Sequence, residues 1–149
     1  MTTPAPPAAP AATRNPATML LGLVAAALMI VGGVLLDWLS GVPTKGLDNG
    51  IAIYWSTDVE GEASFFASAG FVILVIGAIT LIGAAMARGG WVLLGGALAV
   101  LAFVLVTINI YRFEGADLGI GDLGLGLWAI LVGGVVAIAA GVMGRRSTS

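Results

Sequence analysis

Residues 91–111 read WVLLGGALAVLAFVLVTINIY, a run of 21 positions with no acid and no base. At 1.5 Å per helical residue it would be about 32 Å long, enough to cross a hydrocarbon core of ~30 Å. Three further stretches match it. Positions 17–36 hold MLLGLVAAALMIVGGVLL, positions 65–87 hold FVILVIGAITLIGAAMA, and positions 123–143 read LGLGLWAILVGGVVAIAAGVM. None of them contains Asp, Glu, Lys or Arg. The remaining composition agrees: the 149 residues are 59% hydrophobic and 9% charged, where soluble domains run at about a quarter charged. The sequence therefore predicts an all-α integral membrane protein, a bundle of four transmembrane helices.

The charges orient that bundle. Arg14 precedes the first run, Arg88 lies between the second and third, and Arg145 and Arg146 follow the fourth. Lys45, Arg112 and all eight acids lie in the other two connections, 37–64 and 112–122. Basic flanks are retained in the cytoplasm. Both termini and the Arg88-Gly89-Gly90 turn are thus expected inside, with 37–64 and 112–122 as outer loops. The Pro/Ala-rich tail 1–16 cannot bury apolar area and is expected to be disordered. Positions 17–144 form the membrane domain and 145–149 a basic tail. The first run is longer than a signal-peptide core and is followed by Asp37-Trp38-Leu39-Ser40, not a small-residue cleavage site, so it reads as a retained helix. The Ala/Gly/Val-rich, arginine-over-lysine composition points by association to a GC-rich bacterium and its inner membrane.

Two halves of the chain echo each other. Gly70 and Gly77 align with Gly126 and Gly133, VEG at 59–61 with FEG at 113–115, and both odd-numbered runs end in an aromatic beside a charge, Trp38 by Asp37 and Tyr111 by Arg112. Two repeated helical hairpins related by an axis along the membrane normal would produce this pattern.

Chemistry is sparse. There is no Cys and no His, which removes thiol nucleophiles, thiolate sites and the commonest general base. A net charge of −2 argues against a nucleic-acid footprint. The loop stretch IAIYWSTDVEGE at 51–62 holds Asp58, Glu60 and Glu62 at alternate positions. In an extended segment these would share a face and could meet a hard cation. An EF-hand would need an acid at its twelfth position, which counted from Asp58 is Ala69. A solvated acidic loop is the simpler reading. Neither a metal, a cofactor nor a catalytic set is expected.

The residues singled out for contact are of two kinds. Gly133, Ala137 and Gly141 recur every four positions on one face of the fourth run, as Gly22/Ala26 and Gly95/Ala99 do elsewhere. Such faces let helix backbones approach, within the bundle or against a partner. Asn109, with Thr107, is the strongest polar group near a run's end and can bond between helices or line a path. On the outer face Trp38, Trp55, Asp58 and Glu60 are the contact candidates, with the aromatics anchoring at the boundary. In outline, four helices with a long first outer loop, a tryptophan near its start and a short second loop resemble claudin-type proteins. The chain lacks their loop cysteines, so the resemblance implies architecture alone. The expected function is non-enzymatic: an accessory or assembly subunit of a larger membrane or envelope complex, partnered by lipid and by other subunits or itself. The alternative is a small transporter, channel or lipid-handling protein.

Overall fold

The computed structural model describes residues 16–47, 66, 68–114 and 119–146. Among these, four helices carry the fold: α1 (Pro16–Val34), α2 (Ala69–Ala85), α3 (Gly89–Glu114) and α4 (Leu125–Arg146). Three of them, α1, α3 and α4, are long and apolar enough to cross a membrane, and α2 is a shorter apolar helix of 17 residues. Between α1 and α2 the chain forms an antiparallel hairpin, β1 (Asp37–Leu39) and β2 (Val42–Lys45). The all-α expectation holds, with this short hairpin set between the first two helices. The signal was present: Ser40-Gly41 links the strands, and Gly41 supplies the φ of +81° that the two-residue link needs.

Helix ends follow local chemistry. α2 begins later than the apolar run because Ser68 caps it, its Oγ accepting from the Phe71 N–H at 3.2 Å. It stops where Ala87 turns left-handed at φ 54°. The Ala87 N–H then donates to the Ala84 carbonyl at 3.0 Å and the Arg88 N–H to Gly83 at 2.8 Å, which satisfies two terminal carbonyls. α3 continues past the expected boundary at Tyr111 and takes 112–114 out of the expected second loop. No helix breaker precedes Gly115, and Arg112 in the last turn suits the negative end of the helix dipole.

Each helix packs against its neighbours in the chain, and α4 closes back on α1, while α1 and α3 face each other across the diagonal. Buried positions repeat every seven residues. In α1 these are Gly22 and Met29, Ala25 and Gly32, Ala26 and Gly33; in α2, Ala69, Ile76 and Gly83, and Ile73 and Thr80. A 3.5-residue period is that of helices wound left-handedly about one another. The core runs through Met29, Ile73, Val92, Ala99, Val106, Leu127 and Ile130.

Glycine sets the helix spacing. A Cβ on Gly96 would lie 2.7 Å from the Gly134 carbonyl oxygen, and one on Gly141 would lie 2.8 Å from the Gly89 oxygen, so α3 and α4 touch backbone to backbone. On α1, adjacent glycines serve different neighbours. A Cβ on Gly32 would strike the Gly126 oxygen of α4 at 2.6 Å, and one on Gly33 would strike Ile73 of α2 at 2.7 Å. Gly77 of α2 packs on Ile30 and Gly133 of α4 on Ala25 and Met29, both in α1. This bears on the internal echo. Under an axis relating two hairpins, Gly77 facing α1 would require Gly133 to face α3. Both face α1 instead, so the matched glycines do not occupy equivalent points of such a repeat.

Candidate functional site

The residues with distinctive chemistry lie at the two ends of the bundle. The hairpin end is built around Trp38, which is 0% exposed. Its indole Nε1–H donates to the Gly32 carbonyl at 2.9 Å, so the buried donor is satisfied. Three glycines make the space: a Cβ at Gly126 would sit 2.6 Å from the indole Cδ1, and Gly46 and Gly124 press on the ring and on the Trp38 backbone. β1 bonds on both sides. One edge pairs with β2 in the register Asp37↔Lys45 and Leu39↔Val42. The other meets the turn before α4, where the Ser40 N–H donates to the Asp122 carbonyl and the Gly124 N–H to the Trp38 carbonyl, both at 2.8 Å. The Gly70 N–H donates to the Gly46 carbonyl at 2.6 Å. One clasp therefore ties the end of α1 to the starts of α2 and α4. The Asp122 carboxylate accepts from the Gly119 N–H at 2.7 Å and so shapes the turn preceding α4.

The arginine end is tighter. Arg88 is exposed on the α2–α3 turn and Arg145 is exposed in the last turn of α4. A Cβ on Gly90 would lie 3.5 Å from an Arg145 guanidinium nitrogen. The base of Trp91 is wedged over Gly83 of α2, whose Cβ would meet it at 2.7 Å, yet the residue is 49% exposed.

The sequence-derived candidates fall as follows. Gly133, Ala137 and Gly141 are all buried inside the bundle. They do not serve one partner: Gly133 packs on α1, while Ala137 meets Gly96 and Gly141 meets Leu93, both of α3. Gly22 packs on Ala84 and Gly95 on Thr80. Asn109 is half-buried in the last third of α3. Trp38, expected as an outer-face contact, is corrected to a buried core residue of the clasp, because its N–H finds a carbonyl and its ring finds glycines. Trp55, Asp58, Glu60 and the stretch 51–55 lie outside the described residues. Trp128 is 38% exposed, its ring 6.2 Å from that of Phe103 on α3.

Within the bundle, polar groups are few. Thr80 is fully buried and returns its hydroxyl to the Ile76 carbonyl at 2.9 Å, with the Met29 sulfur at 3.8 Å. The Thr107 hydroxyl is buried and has no hydrogen-bond partner among the described residues. Also among the described residues, no three acids converge as a metal set. Sequence reasoning missed the clasp, whose trace is the placing of Gly46, Gly124 and Gly126 around a single tryptophan. No family model, no curated protein and no solved structure matches the chain.

Proposed function

We propose that the chain is a four-span protein of a bacterial inner membrane, with both termini cytoplasmic, and that it acts without catalysis as an accessory or assembly subunit of a larger membrane or envelope complex. α2 completes the fourth span: the apolar residues flanking its 17 helical positions extend it to the length of the run 65–87. Four of the five arginines at one end and the acids at the other supply the orientation.

The observation that carries the reading is the inward turning of the glycines. Every glycine between Gly22 and Gly141 within the four helices is buried, apart from Gly89 and Gly90 at the start of α3. The surface left to the surroundings includes Leu20, Val24, Val31, Leu94, Leu101, Val132 and Val135, branched side chains suited to acyl chains. A single copy thus closes its own core and spends its close-approach faces on itself. Contact with other subunits then falls to the ends, above all the long first outer loop with Trp55, Asp58 and Glu60. Purification of a C-terminally tagged copy from its own membrane in mild detergent, followed by mass spectrometry, tests this. A stoichiometric partner supports the subunit reading; a monomer without any stable partner defeats it. A second reading, a small transporter, channel or lipid-handling protein, is favoured by the buried Thr107 hydroxyl and the neighbouring Asn109 in α3. It requires a purified homo-oligomer that passes solute or lipid in liposomes.

A further inference from the structure

We draw no further inference here: the strongest candidate, the exposed apolar face of α3 formed by Leu94, Leu101, Leu105 and Ile108, carries nothing, because nothing in the structure shows whether acyl chains or a second copy of the chain covers it.

Discussion

At the arginine end, α2 passes into α3 through Met86, Ala87 and Arg88. The turn is held by bonds that reach back no more than five residues, from Ala87 to Ala84 and from Arg88 to Gly83. At the hairpin end the chain runs from Val34 to Ala69 before the next helix. There the decisive bonds join residues far apart in sequence: Ser40 to Asp122, Gly124 to Trp38 and Gly70 to Gly46. One end closes by local geometry and the other by tertiary agreement among three segments around one tryptophan. A local turn survives the loss of distant contacts, whereas a clasp depends on every member.

That contrast can be broken experimentally. The largest effect is expected from Trp38→Ala, which empties the clasp and orphans its glycine-lined space. A loss of about 3–5 kcal/mol is the usual cost of truncating a buried aromatic. Thermal unfolding in detergent should show it, and amide exchange at Ser40 and Gly124 should accelerate while that at Ala87 and Arg88 does not. Unchanged exchange at Ser40 would mean that the clasp is held by something other than Trp38.

Next comes the seam between the ends. Gly96→Val places a branched side chain where a Cβ already meets the Gly134 oxygen at 2.7 Å and the Ala137 Cβ at 2.9 Å. Overpacking of this kind costs about 1–3 kcal/mol, read as a lower Tm. Tolerance without any shift would show that α3 and α4 separate more easily than their backbone contact implies.

A smaller effect of opposite sign is expected at the arginine end. Ala87 holds φ 54°, a conformation in which an L side chain is disfavoured and glycine is not. Ala87→Gly should raise stability by about 0.5–1 kcal/mol. A decrease would indicate that the Ala87 methyl packs more usefully than its backbone strain costs.

The smallest effect is expected at Thr80. Its hydroxyl bonds within its own helix, to Ile76. Thr80→Val keeps the shape that Gly95 accommodates and should change stability by no more than about 0.6 kcal/mol, the average for hydrogen bonds between membrane helices. A larger loss would make the Thr80–Met29 contact a genuine link between α2 and α1.

The helices were readable because each apolar run is long, uncharged and bounded by residues with a local reason to stop or start, such as Ser68 before α2. Their ends were less so. α3 absorbed 112–114 because continuing a helix costs little until a glycine arrives, and the charge at Arg112 helps rather than hinders there. The small-residue faces were visible as spacing in Gly133, Ala137 and Gly141, but spacing on one helix does not name the helix opposite. Trp38 was misplaced for a related reason. A tryptophan beside an aspartate at the end of an apolar run looks like a boundary anchor, and only glycines drawn from positions 46, 124 and 126 make it a buried plug.

Taken by itself, the sequence determined the class of object: apolar helices fit for a membrane, one short connection at the end opposite the acids, and four of five arginines kept apart from those acids. These follow from length, hydropathy and charge, which act residue by residue against the solvent. The tertiary structure alone decided which neighbour each glycine meets, that α1 is flanked by α2 and α4, and that Trp38 closes one end. Those outcomes depend on shape complementarity between segments distant in the chain. Close approach of two backbones is a property of the pair, and neither sequence segment carries it alone.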